Sequence, residues 1–422
     1  MGDKKSKAFY HRILVICIAL VLSITSLTVL INNPNTAHAT TLPAYRYTKS
    51  FDTTDGNAWG ESLATDNLGN IYITGYFNGT VHFGGSDTLA VGIYSATFIT
   101  KFNVDGTYGW TKSFNGNAWG SSIATDNLGN IYITGYFNGT VDFGGTDNFT
   151  ASEGSDAFIT KFNVDGTYGW TKDFIGANST SYSSGNGIAT DNLGNIYLTG
   201  YFSGTVHFDG TDNLNAGENQ ATFITKFNVD GTYGWTKDFI GANSTSCSYG
   251  YGIATDNLGN IYVSGDYSGT VDFGDSDTLT TAGDDGYVTK YNADGSYDWT
   301  KDFGVTSNSN DYFYGDDIAI DNSGNIYVTG SFGGTVTFGG LDTLTTSAES
   351  NGMFLTSYQV SESSVEPTIT TTPTPYSTIK SPDTGYGAYQ DNPIANLMYF
   401  VSSALVLGFL AVLARRLKGL SK

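Results

Sequence analysis

Two sets of residues in this 422-residue sequence are of types that do chemistry. The first is aromatic. Trp59, Trp119, Ser184, Tyr249 and Tyr314 stand four residues before Leu63, Ile123, Ile188, Ile253 and Ile318, and a glycine follows each of them. Tyr182, Tyr251 and Tyr312 lie close by in the sequence. Trp and Tyr beside Asn, Ser and Asp suit sugar stacking with polar groups for the hydroxyls, and repeated display lets weak sites add by avidity. The same pattern also suits packing between neighbouring repeats, with glycine leaving room, because a recurring apolar position commonly belongs to a core. The second set is acidic. Glycoside hydrolysis needs two carboxyl groups at a defined separation in one asymmetric constellation. Glu61, Glu153, Glu218, Asp266, Asp284, Asp285, Asp316 and Asp317 break the repeat, but nothing in the sequence assigns any of them a partner.

Other chemistries are poorly represented. Asp66, Asp126, Asp191, Asp256 and Asp321 recur at one place in every repeat, as turn residues do. Such Asp/Asn-rich turns leave Ca²⁺ as the one cofactor to consider, although their spacing misses an EF-hand loop. There is no Walker loop, nucleophile elbow or Cys/His metal spacing. None of the four histidines stands with a Ser or Cys and an acid; His82 and His207 take the place of Asp142 and Asp272 in other copies. Cys17 and Cys247 form no disulfide framework, and Cys247 replaces Tyr182 of the preceding copy.

The elements that must position these residues are repeats. "DNLGNIYITGYFNGTV" occurs identically at Asp66 and Asp126, with variants at Asp191, Asp256 and Asp321. Apolar and polar residues alternate with the period of two that marks strands, as in Phe158, Thr160 and Phe162 against Ile159 and Lys161. Asp-Asn-Leu-Gly-Asn and Asn-Val-Asp-Gly supply tight turns whose glycines accept positive φ. Four strands per repeat are expected: A near 123–125, B at 131–137, C at 158–162 and D at 170–174, with "GTVDF" as an excursion outside the main sheet. Strand D has an extra first copy at 45–51, and the fifth strand C at 353–360 has no D after it. Pairing those two ends predicts an all-β, five-bladed β-propeller over 40–360, closed by its N-terminal strand, in which no copy buries both faces alone.

The motif A-T-D-x-x-G-N-I-Y-x-x-G followed by G-T-V-x-F resembles the bacterial β-propeller repeat family known as SBBP, over about residues 45–360. That family is described as seven-bladed, and five copies are counted here. The resemblance implies an extracellular propeller and little specific chemistry.

The ends of the chain read as addresses. A basic stretch, an apolar run and Ala37-His38-Ala39 predict a signal peptide over 1–39. Residues 361–393 are rich in Ser, Thr and Pro and suit an extended stalk. Residues 394–414 are long and apolar enough for a transmembrane helix, and the basic tail 415–422 keeps its end cytoplasmic. Pro382, Thr384 and Gly385 ahead of that span resemble a cell-wall sorting signal, in which a sortase cuts between Thr and Gly; Ser381 stands where that motif has Leu. Between 40 and 393 there are 39 acidic and 11 basic residues with no basic patch, which disfavours nucleic acid as a partner.

Taken together these features predict an extracellular, cell-surface-anchored, non-catalytic propeller. It would bind or adhere to glycan or to a surface protein of another cell or matrix. A passive display domain of the envelope is the alternative reading, and a polysaccharide-active enzyme ranks third.

Overall fold

The computed structural model describes residues 46–359 apart from 86, 93, 147, 210–212, 304–310, 339–342 and 348–349. The predicted signal peptide, stalk, sorting motif (Thr384, Gly385), membrane span and basic tail lie outside the described residues. Among the described residues no helix is long and apolar enough to cross a membrane.

The described chain is all β and falls into five repeat units. The first holds β1 (Asp52–Thr65), β2 (Ile71–Gly84), β3 (Asp87–Ala90), β4 (Ala96–Phe102) and β5 (Tyr108–Ser113). In the second are β6 (Asn115–Thr125), β7 (Ile131–Asp142), β8 (Asn148–Thr150), β9 (Asp156–Phe162) and β10 (Tyr168–Gly176). The third has β11 (Tyr182–Thr190), β12 (Ile196–His207), β13 (Asn213–Phe227) and β14 (Tyr233–Phe239), and the fourth β15 (Cys247–Thr255), β16 (Ile261–Asp272), β17 (Thr278–Tyr291) and β18 (Tyr297–Phe303). The fifth comprises β19 (Tyr312–Ile320), β20 (Asn325–Gly333), β21 (Thr335–Thr337), β22 (Thr343–Thr345) and β23 (Asn351–Gln359). Each of the first four units is an antiparallel sheet in the order A-B-C-D, for example β1-β2-β4-β5.

The recurring aspartate explains the A-B turn. Asp66 Oδ1 accepts from the amides of Leu68 (3.0 Å) and Asn70 (2.9 Å), while Oδ2 accepts from Asn70 Nδ2 (2.8 Å) and the Tyr72 hydroxyl (3.0 Å). Gly69 completes the turn at φ 78°, where a side chain would be strained. Burial pulls the Asp66 carboxyl up, but its hydrogen bonds outweigh that and hold it below the ordinary value. The same network surrounds Asp126, Asp191, Asp256 and Asp321. These carboxylates are occupied with holding the turn.

Successive A strands lie side by side. Thr125, Thr190 and Thr255 donate their hydroxyls to the carbonyls of Thr65, Thr125 and Thr190, each at 2.9 Å. Asn67, Asn127 and Asn192 donate to the carbonyls of Asn127, Asn192 and Asn257 in the next unit. The core lies between units: Ile123, Ile131 and Ile133 of the second pack with Tyr72 and Ile99 of the first.

Three details differ from the sequence expectation. Strand A is longer than 123–125, because β6 begins at Asn115. "GTVDF" is the far end of strand B, continued past Gly139 (φ 66°), and it pairs with the short β8 beside the main path. Residues 46–50 carry no strand, yet Phe51 packs on Phe83 and Phe102 (5.6 and 5.9 Å), as Phe114 packs on Phe143 and Phe162 (5.0 and 6.0 Å). Phe51 therefore holds the place of a D-strand phenylalanine. No ladder joins this segment to β23 among the described residues. Leu63 is 68% exposed where Ile123, Ile188, Ile253 and Ile318 are 5–7% exposed, and Leu355 on β23 is 73% exposed.

Candidate functional site

The aromatic–glycine motif lies inside strand A, on its pairing with strand B. Trp59, Trp119, Ser184, Tyr249 and Tyr314 stand opposite Tyr76, Tyr136, Tyr201, Asp266 and Ser331. Directly opposed residues of an antiparallel pair share one face, so each pair forms a small surface. The glycine after the aromatic faces the other way. A Cβ on Gly120 would meet Thr97 and Thr74 of the first unit at 2.6 and 2.7 Å, and one on Gly250 would meet Thr199 of the third at 2.2 Å. The glycine thus seats strand A against the preceding unit.

On the first two units these surfaces are stacked aromatic pairs. Trp59 lies on Tyr76 at 4.8 Å and 24°, and Trp119 lies on Tyr136 at 4.8 Å and 16°. Trp59 is 40% exposed and Trp119 is half-buried. Burial raises the Tyr136 hydroxyl, with smaller contributions from Tyr201, Tyr76 and Glu61. Tyr182, Tyr249 and Tyr251 form a second group around Tyr201: Tyr182 meets it edge-on at 6.3 Å, Tyr249 at 5.2 Å, and Tyr251 runs parallel to Tyr249 at 6.3 Å. Tyr312 and Tyr314 stack on each other at 5.0 Å in the fifth unit. All seven predicted aromatics therefore lie in A strands, in four groups, and the tyrosines are half-buried.

A β-bulge interrupts every A-B ladder just after the glycine. In the first four units it carries Glu61, Ser121, Asn186 and Tyr251, and the fifth has Asp316 at the same place in its register shift. Bulges re-aim a side chain, and here strand A presents a different polar group in each unit. Asn186 spans to the next unit, donating from Nδ2 to the Gly250 carbonyl at 2.8 Å.

Of the acids without a partner in the sequence, Asp266, Asp284 and Asp316 meet at the junction of the fourth and fifth units, with Asp317 beside Asp316, whereas Glu61, Glu153 and Glu218 lie in the first three units. Asp266 stands opposite Gly286 on β17, and a Cβ at Gly286 would strike the Phe313 ring at 2.0 Å, so this face looks onto the fifth unit. Asp284 lies two residues along the same face and bridges to Tyr312 on β19. Asp266 is 4% exposed, its Oδ1 has no hydrogen-bond partner among the described residues, and it accepts from the Tyr251 hydroxyl. Burial pushes its carboxyl up to about 8, against the Tyr251 hydrogen bond, and the charges of Asp284 and Asp316 push the same way. Asp284 is raised by burial, and Asp316 by burial and by Asp317. Sequence comparison singled out these residues one at a time; aligning the bulge position of the five copies is what pairs Asp316 with Tyr251. Cys247 is ordinary by contrast, its Sγ 3.0 Å from Ser268 Oγ across the A-B ladder.

Comparison with known proteins supports the repeat. The SBBP beta-propeller repeat matches residues 113–141, 170–201 and 235–266. An uncharacterized WD repeat-containing protein of Acanthamoeba polyphaga mimivirus is 28% identical over 346 residues, covering 66% of this chain and 24% of that protein. The chain thus spans about a quarter of the length of that curated relative. Among solved structures, a protein of unknown function from Bacteroides caccae is 12% identical with a TM-score of 0.32, covering 64% of this chain and 70% of that one. A mutant of the Synechocystis apocarotenoid oxygenase is 9% identical with a TM-score of 0.33, at 65% and 55% coverage. YCF48 bound to D1 peptide is 10% identical with a TM-score of 0.28, at 70% and 82% coverage. SBBP beta-propeller repeats therefore stand at three places in this all-β chain.

Proposed function

We propose that the chain is a cell-surface-anchored, non-catalytic binding module that engages glycan, or a protein of another surface, through the aromatic pairs of its A strands. The observation that carries this reading is the Trp59–Tyr76 pair, a stacked indole–phenol surface with Trp59 40% exposed. A flat aromatic face held rigidly at low entropic cost is what a sugar ring stacks on. The surface placement rests on the sequence of the two ends, with secretion through 1–39, anchoring through 394–414 and sortase cleavage at Thr384–Gly385 as parts of the proposal. The test is calorimetry of the full chain against a sugar that it retains on an array. Trp59→Ala and Trp119→Ala are each expected to weaken binding about tenfold, ~1.4 kcal/mol, with the fold unchanged by circular dichroism. Unaltered affinity in both variants would return these residues to a packing role.

The five units are proposed to close into one ring, with 45–51 supplying the missing fourth strand beside 353–360. Phe51 in its D-strand place and the open apolar faces at Leu63 and Leu355 support this. Under closure Leu63 is an interface residue like Ile188. Urea unfolding is then expected to show Leu63→Ala and Ile188→Ala costing alike, about 2–5 kcal/mol. A near-neutral Leu63→Ala beside a costly Ile188→Ala means an open arc.

A further inference from the structure

We propose that the junction of the fourth and fifth units is a separate site for a ligand carrying a primary ammonium, an amino sugar. Asp284 and Asp316 would hold the cation beside the Tyr312–Tyr314 stack, with Asp266 and Tyr251 as its floor.

Three observations carry the inference. First, the acids are not needed for packing. The place of Asp266 is filled by Tyr76, Tyr136 and Tyr201 at the three other junctions, and that of Asp284 by Ser95, Ser155 and Gln220. Those junctions form without a carboxylate at either place, whereas here two carboxyls share one face and a third approaches from the next strand. Second, Asp266 directs an oxygen with no protein partner into this junction, although it is almost wholly buried. A buried polar atom left unsatisfied costs about 1–3 kcal/mol, and an arriving N–H donor removes that cost. Third, no Lys or Arg is among the groups that shift Asp266, Asp284 or Asp316; only other aspartates act on them by charge.

The chemistry then selects the ligand. A phosphate or carboxylate would be repelled. Among the described residues no three His, Cys, Asp or Glu side chains are grouped as a metal site requires. An ammonium satisfies both halves of the site, because it pairs with carboxylates and is attracted to the face of an aromatic ring. Asp316 is exposed and Asp284 half-buried, which leaves this charge reachable from solvent.

Calorimetry of the full chain at neutral pH, with glucosamine as probe and N-acetylglucosamine as comparator, tests the site. The amine is expected to bind and the acetylated sugar to bind at least about tenfold more weakly, since acetylation removes the charge. Asp316→Asn and Asp284→Asn should each bring glucosamine to the level of N-acetylglucosamine, while Glu153→Gln, at an exposed carboxylate of the second unit, leaves it unchanged. Asp316 is exposed, so its variant keeps the fold even if Asp284→Asn does not. Equal affinity for the two sugars, no binding of glucosamine by the parent, or parent-like binding in Asp316→Asn would each overturn the proposal. A loss in Trp59→Ala alone would assign the sugar to the stacked pairs and equally reject an ammonium site.

Discussion

Gly200→Ala is expected to destabilise the protein by about 3–5 kcal/mol, at the severe end for one methyl group. Gly200 is buried on β12 opposite Gly185, and a Cβ there would lie 1.9 Å from the carbonyl oxygen of Ser184 and 3.0 Å from the Phe223 ring. The obstacle is backbone, so no rotamer change relieves it. Gly75, Gly135, Gly265 and Gly330 meet the carbonyls of Trp59, Trp119, Tyr249 and Tyr314 at the same 1.9 Å. The A-B contact therefore requires glycine in every unit, which is why the B strand reads Ile-Tyr-x-x-Gly each time. Urea unfolding should show the midpoint falling with the slope kept. Gly92→Ala, with nothing within 4 Å of its Cβ, should be close to neutral. Similar midpoints for the two variants would mean that the strands are not held this closely.

Asp266→Asn is expected to stabilise the protein, and the gain should grow with pH. The carboxyl titrates near 8 in the folded chain against 3.8 when unperturbed, so between those values the folded state holds a proton that the unfolded state has released. Stability of the parent therefore falls as pH rises from about 4 to about 8, by up to ~1.4 kcal/mol per pH unit, and levels off above that window. Asn keeps the shape, still accepts from Tyr251 and has no proton to lose. Asp284 and Asp316, raised as well, remain in both proteins, so the difference between the two stability curves isolates Asp266. Parallel curves from pH 4 to 8 would contradict an uncharged, buried Asp266.

The turns were the most legible part of the structure. Asp-Asn-Leu-Gly-Asn carries its own donors and acceptors within five residues, so its geometry depends on nothing remote. The B and C strands were legible for a similar reason, their alternation being local. Strand A was not: "NGNAWGSS" has small polar residues and no alternation, and it becomes β6 because glycine lets it lie against Thr97 and Thr74 of another unit. The aromatic positions were legible as a set, but their partners Tyr76 and Tyr136 were not, because stacking depends on the A-B register. The acidic junction was hidden for the same reason. Asp266 and Asp316 are 50 residues apart in the chain, and only the bulge in β19 together with the packing of adjacent units brings them near one another.

A glycan array probed with the full chain, beside its Trp59→Ala and Trp119→Ala variants, decides whether the aromatic surfaces of the A strands recognise a ligand. Retention of a defined class of sugar by the parent is expected, with loss of that signal in both variants while they stay folded. An array blank for a folded parent, with the tryptophan substitutions changing only stability, would contradict it.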